Sequence, residues 1–170
     1  MEILIGGLAL ILIWLIVIYN KLIRDKNRIL TSWSDIDVQL KRRHDLIPKL
    51  IEAVKQYAEY ESTALTAITE LRTASERSED ISLISRYETK IGNKVRNIVA
   101  IAEDYPVLKT SDLFIDLQKN LTEVENNIQY ARRYYNGCVN NLNVRIDSFP
   151  DLIVARAFRF SRATFFDFDN

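Results

Sequence analysis

The sequence predicts an all-α protein in which an N-terminal transmembrane helix continues into an antiparallel four-helix bundle of long helices, followed by a short C-terminal amphipathic segment. Three observations predict it. Residues 3–18 carry no charged or strongly polar side chain. Beyond them, apolar side chains recur at steps of three and four, the spacing of helices and not of strands. The 170 residues include only 4 Gly and 3 Pro, too few for the turns of a sandwich or barrel or for a glycine-rich phosphate loop. A hydrophobic share of 48% against 27% charged suffices to bury a core. The predicted boundaries are 1–20 for the anchor, 21–150 for the bundle and 151–170 for an amphipathic, aromatic segment.

The first element is the apolar run. At about 1.5 Å per residue it covers roughly 25 Å, the short end of what crosses a bilayer. A cleaved signal peptide wants a basic start and a small-residue cleavage site, whereas here Glu2 precedes the run and Tyr19-Asn20-Lys21 follows it. Lys21, Arg24, Lys26 and Arg28 come directly after the span and no Lys or Arg stands before it. That asymmetry predicts an N-terminus outside and a body in the cytoplasm. Trp14 and Tyr19 suit the interfacial aromatic belt, although Trp14 serves equally as a lipid-facing or helix-packing residue.

Ile29, Trp33, Ile36 and Leu40 continue the helix out of the membrane. Asp45 as an N-cap would put Pro48 in a first turn, where its missing N–H is harmless, so a reversal is expected near Arg43 to Asp45; a kinked continuous helix is the rival. Leu46, Leu50, Val54, Tyr57, Ala64, Ile68 and Leu71 mark the second helix, with Glu61 falling on its stripe. After a short polar joint from Ser75 to Asp80, Ile81, Ile84, Tyr87, Ile91, Val95, Ile98, Ala102 and Tyr105 mark the third, ended by Pro106.

The fourth helix is the longest, with Leu113, Leu117, Leu121, Val124, Ile128, Ala131, Tyr135, Cys138, Leu142, Ile146 and Phe149 in step, Ser111 as its N-cap and Pro150 as its stop. Amphipathic helices with short joints pack as a bundle, because each apolar stripe needs another. Antiparallel order then returns Phe149 and everything after it toward the bilayer. In that tail Leu152, Ile153, Ala157, Phe158 and Phe160 mix with Arg156, Arg159 and Arg162. Such a segment either lies in the lipid interface or folds back on the bundle as a fifth short helix.

Composition excludes several function classes. With 23 basic and 23 acidic residues the chain has no bulk field to recruit nucleic acid. The zero is an average over unlike parts, since residues 20–45 are net +3 and residues 46–80 net −3. One Cys and one His leave no internal disulfide and too few ligands for a Cys/His zinc site or a ferritin-like di-iron site. No cofactor, metal or small-molecule substrate is therefore expected.

The sharpest polar feature is Lys41-Arg42-Arg43-His44-Asp45. Near the far end of the first soluble helix, about 30–35 Å from the membrane, either it receives a carboxylate-rich partner or Arg42 or Arg43 pairs with Asp35, Asp37 or Asp45 to fix the reversal. His44 has no obvious Ser or Cys beside it, so it does not read as a catalytic base. Asn126, Asn127, Asn136, Asn140, Asn141 and Asn143 crowd the fourth helix despite the poor helix propensity of Asn. With Tyr130, Tyr134 and Tyr135 they form either hydrogen-bonded layers between helices or protomers, or a solvated face. Candidate membrane-interface residues are Trp14, Tyr19, Lys21, Arg24, Arg156, Phe158, Arg159 and Phe160.

The run Trp33-Ser34-Asp35-Ile36-Asp37-Val38-Gln39-Leu40-Lys41-Arg42-Arg43, followed by Asp45-Leu46-Ile47-Pro48 and Leu50, resembles the signature block of the LemA family of bacterial membrane proteins. Tyr19-Asn20 with Leu22, Tyr105-Pro106, Leu117-Gln118, Leu121, Glu125, Ile128, Ala131-Arg132 with Tyr134-Tyr135-Asn136, and Phe149-Pro150 before Leu152-Ile153 follow in the family's order. Departures from it are Gly137-Cys138 where an acidic or small residue is more usual, Leu142 in place of a Tyr, and Arg159 in place of a Gly between Phe158 and Phe160. The resemblance implies an N-terminal anchor with a cytoplasmic, antiparallel four-helix bundle, no established enzymatic activity, association with membrane biogenesis, including magnetosome formation, and relatives often encoded near membrane proteases.

Together these readings predict a single-pass protein of a bacterial inner membrane that acts as a scaffold or adaptor through protein–protein contacts, self-association included. Membrane lipid and other membrane proteins are the expected partners. The alternatives are a regulatory partner of a membrane protease and a cryptic hydrolase.

Overall fold

One helix, α1 (Glu2–Lys55), takes up the apolar run, the first predicted helix and the start of the second. A computed structural model describes residues 1–55 and 62–166. After α1 come α2 (Ser62–Arg77), α3 (Ile81–Ile101), a 3-10 turn (Ala102–Asp104), α4 (Pro106–Lys109), α5 (Asp112–Asp147) and α6 (Asp151–Ala157). No strand occurs among the described residues.

The length of α1 follows from its pattern. Ile18, Leu22, Asp25, Ile29, Ser32, Ile36, Leu40, Arg43, Ile47, Leu50 and Val54 are all buried, and each step between them is three or four. This corrects the reversal expected near Arg43 to Asp45. A turn there would break a seam that stays in step on both sides of it, so Asp45 is an interior residue of α1 and caps nothing. Pro48 also lies inside the helix, where it leaves the carbonyl of residue 44 without its usual donor. The Arg72 guanidinium supplies a substitute, Nη1 donating to the His44 carbonyl at 3.5 Å. The stripe positions Tyr57 and Glu61 lie outside the described residues.

The other boundaries follow local chemistry. Asp80 caps α3 by accepting from the Ser82 and Leu83 amides. Tyr105, extended because a proline follows, separates the 3-10 turn from α4, which Pro106 opens. Helix α5 starts at Asp112 and ends before the cis Phe149–Pro150 bond. Its buried stripe begins at Phe114 and not at Leu113, which is 63% exposed: two successive steps of four from Leu113 would turn the stripe by about 80°. Phe149, the expected last member, is also exposed. Gly137 faces open space inside α5 and weakens it by roughly 1 kcal/mol relative to Ala.

The chain divides into two units. The first comprises Met1–Ser34 and Arg133–Thr164. In it Trp33 packs edge-on against Tyr135 at 5.6 Å, and Arg145 Nε donates to Asp25 at 2.7 Å, so these stretches of α1 and α5 run antiparallel. The stretch after α6 is tied to α5. Asn143 donates to the Ala163 carbonyl at 3.0 Å and accepts its N–H at 2.8 Å, while the Tyr135 hydroxyl donates to the Thr164 carbonyl at 2.8 Å. Two members of the Asn/Tyr-rich face therefore hold the tail, whereas Asn126, Tyr130, Tyr134, Asn140 and Asn141 are exposed.

The second unit comprises Asp35–Arg132 and Phe165–Asn170. Its core joins Ile47, Leu50 and Val54 of α1, Ile68 of α2, Ile91, Val95 and Ile98 of α3, Leu108 of α4, and Phe114, Leu117 and Leu121 of α5.

Candidate functional site

A buried charge cluster lies in the second unit. Arg43 stands on the seam of α1 and Glu88 stands on the stripe of α3 between Ile84 and Ile91, so folding drives both inward. Arg43 Nη2 donates to the Glu88 carboxylate and, at 3.1 Å, to the Glu88 main-chain carbonyl; Nη1 donates to Glu125 at 3.0 Å. His44 Nε2 donates to Glu88 Oε1 at 2.9 Å, and the Ser75 hydroxyl donates to the same oxygen. Gly92, one turn after Glu88, lies beside the arginine: a Cβ there would touch Nη1 at 3.4 Å, an ordinary contact.

Two opposing effects act on Glu88. Burial pushes its carboxyl up, but the His44 hydrogen bond, the charges of Arg43 and His44, and the Ser75 hydroxyl together hold it below the usual carboxylate value. Glu88 is thus the acceptor for three donors and remains ionised.

The arrangement limits the chemistry. A nucleophilic triad needs its base between the hydroxyl and the acid. Here Glu88 is in the middle, the Ser75 hydroxyl donates its hydrogen bond to the carboxylate, and Nε2 of His44 is engaged by the same group. His44 Nδ1 faces Glu76 at 3.2 Å, within ion-pair reach but out of line for a hydrogen bond. Among the described residues no group of three or more His, Cys, Asp or Glu side chains is disposed to hold a metal ion.

The predicted basic cluster is split by this geometry. Arg43 and His44 turn inward, leaving Lys41, Arg42 and Asp45 exposed. Lys41 pairs with Asp37 at 2.6 Å, a contact that raises the lysine's pKa. Arg42 reaches Glu123 on α5 at 3.6 Å, and the partners of Arg43 are Glu88 and Glu125 in place of Asp35, Asp37 or Asp45.

In the first unit a second polar group missed by sequence reading joins Asp25, Arg145 and Asp151, with Arg145 bridging the two carboxylates at 2.7 and 2.8 Å. The candidate interface residues belong to the same unit. Tyr19 packs on Phe158 at 4.8 Å and on Phe160 at 6.0 Å between ring centroids. Trp14, Lys21, Arg24 and Arg156 are exposed and stand outside this ring cluster. Arg159 sits in the left-handed region at φ 56°, as the residue after the C-cap of α6. The Phe160 N–H bonds back to Ala155 and the Arg159 N–H to Arg156, the paired bonds of a Schellman ending that favours glycine at that position.

The signals for the missed residues were present. Asp25 and Glu88 each stand at a stripe position, as Arg43 does, where a charge needs a buried partner.

Protein LemA of Metamycoplasma hominis is 29% identical over 139 residues, covering 81% of this chain and 63% of that protein. Magnetosome proteins MamQ 1 and MamQ 2 of Paramagnetospirillum magneticum are each 29% identical over 75 residues, 44% of this chain and 28% of theirs. The chain thus spans less than two thirds of the curated relatives it matches. The model of the LemA family matches residues 32–170, from the buried Ser32 of α1 through the Arg43–Glu88 cluster to the tail. On that match the chain belongs to the LemA family.

Proposed function

We propose that this chain is anchored in a membrane by the apolar start of α1 and acts as a scaffold or adaptor through contacts with other membrane proteins. The observation that carries the reading is that this stretch is long enough to cross a bilayer and almost entirely uncovered, with Ile3 92%, Leu8 61% and Leu10 69% exposed. Side chains of this kind, left outside any core, call for lipid or an apolar partner. Lys21, Arg24, Lys26 and Arg28 follow directly, which favours a single pass with the N-terminus outside and the helices in the cytoplasm. The same reading has α1, α2, α3 and α5 associating as an antiparallel four-helix bundle, their apolar stripes turned toward one another.

Membrane organisation or biogenesis is the process this reading favours, in keeping with the magnetosome proteins among the relatives. A regulatory partner of a membrane protease is the alternative. With Ser75 and His44 both spent on Glu88, no catalysis is proposed.

The test is cross-linking with mass spectrometry at native expression, run beside carbonate extraction of membranes. The unaltered chain is expected to stay in the pellet and to cross-link to membrane proteins, a protease among them under the alternative. Leu8→Arg/Leu12→Arg, which places two charges in the run, is expected to release the chain and abolish those links. Carbonate release of the unaltered chain would overturn the anchor, and links undiminished in the released variant would overturn the membrane adaptor.

A further inference from the structure

We propose that the groove between α1, α5 and the stretch after α6 binds the phosphate headgroup of an anionic phospholipid. The inference rests on the membrane-anchor reading and adds a specific lipid site to it. The groove has a volume of about 360 Å³, within the range of small-molecule sites, and its walls include Tyr19, Leu142, Phe158 and Phe160.

Its charges point to an anion. Lys26, Arg159 and Arg162 line it. Arg162 is held by Asp147 at 2.6 Å, and the nearby Asp25 and Asp151 are both held by Arg145. Among the described residues no carboxylate pairs with Lys26 or Arg159, so two cations remain for a ligand beside an apolar wall. Arg159 is retained in a left-handed conformation that disfavours any side chain, which marks the position as one where something besides local stability is served.

Its place points to lipid. Tyr19 directly follows the apolar run, and Lys26 is seven residues on, about 10 Å along the helix axis. Helical side chains lean toward the N-terminus, so the Lys26 ammonium lies back toward the bilayer. The headgroup layer extends roughly 5–8 Å beyond the hydrocarbon, and this brings both cations to its depth while the aromatic wall meets the upper acyl chain.

The test uses the full chain reconstituted in vesicles of equal parts phosphatidylcholine and phosphatidylglycerol, extracted gently, with retained lipid counted by native mass spectrometry. The unaltered chain is expected to retain phosphatidylglycerol over phosphatidylcholine by about thirtyfold, the scale of two cations near a membrane surface. Lys26→Gln/Arg159→Gln, which leaves the left-handed position with a side chain, is expected to fall to near parity. Lys90→Gln/Lys119→Gln, which removes two exposed cations that do not line the groove, is expected to keep the preference, and excess inorganic phosphate is expected not to displace the lipid. Parity in the unaltered chain, equal loss in both double variants, or displacement by inorganic phosphate would overturn the site. Failure to co-float with either lipid would remove the anchor itself, whereas co-flotation without headgroup preference removes only this inference.

Discussion

At the scale of single residues, Arg43 and Glu88 matter most because each is almost wholly removed from water. Breaking such a pair by removing one partner costs about 3–5 kcal/mol, since the survivor is left charged and buried. Glu88→Leu is therefore expected to lower the urea midpoint sharply, and adding Arg43→Met to recover most of the loss, with His44 and Ser75 limiting recovery because they lose their acceptor. The pH dependence has a definite sign. The Glu88 pKa is lowered on folding, so its contribution is fully present above the ordinary carboxylate range and is lost as pH falls through and below it. Between about pH 6 and about pH 3 the unaltered chain should lose stability more steeply than the double variant; parallel urea midpoints would count against the pair. Arg159 presents the opposite case, a residue that opposes its own backbone. Arg159→Gly relieves the left-handed strain and is expected to raise stability by about 0.5–1 kcal/mol while weakening anionic-lipid retention.

At the scale of elements, α1 shows how a tertiary contact overrides a local stop signal. Proline in a helix interior costs about 3 kcal/mol, and the sequence near Pro48 reads naturally as a new helix start. The helix continues because Ile47, Leu50 and Val54 keep the seam of Ile36, Leu40 and Arg43, and because Arg72 of α2 donates to the carbonyl that the proline leaves bare. This predicts coupling between two helices. Arg72→Met should destabilise by about 1–2 kcal/mol in the native background and by less once Pro48→Ala restores the backbone donor. Equal costs in the two backgrounds, measured by a double-mutant cycle in denaturant, would show that Arg72 acts only through Glu76, which lies 3.6 Å from its Nε.

At the scale of the whole molecule, the two tryptophans report on different surroundings. Trp14 lies in the uncovered apolar run, 38% exposed, whereas Trp33 packs on Tyr135. In vesicles carrying brominated acyl chains, fluorescence of the Trp33→Phe variant, which isolates Trp14, is expected to be strongly quenched, and that of Trp14→Phe to be nearly unaffected. Equal quenching of the two would sink the membrane reading of α1. The all-helical class, the apolar run, the second half of the joint predicted from Ser75 to Asp80 and most of the α5 stripe were legible in the sequence, because a period of three and four and a run without charges are properties of the chain itself, whereas Ser75 to Arg77 still belong to α2. Family membership was legible for the same reason, through the run from Trp33 to Pro48. What the tertiary structure alone decided was where charges on the stripes find their partners and where helices end. Nothing in the neighbourhood of Arg43 names Glu88, 45 residues away, as its counter-ion. The continuation of α1 through Pro48 depends likewise on a guanidinium from another helix. Periodicity fixes which face of a helix is buried, but the cost of a buried charge or a missing donor is met only by groups that folding brings together.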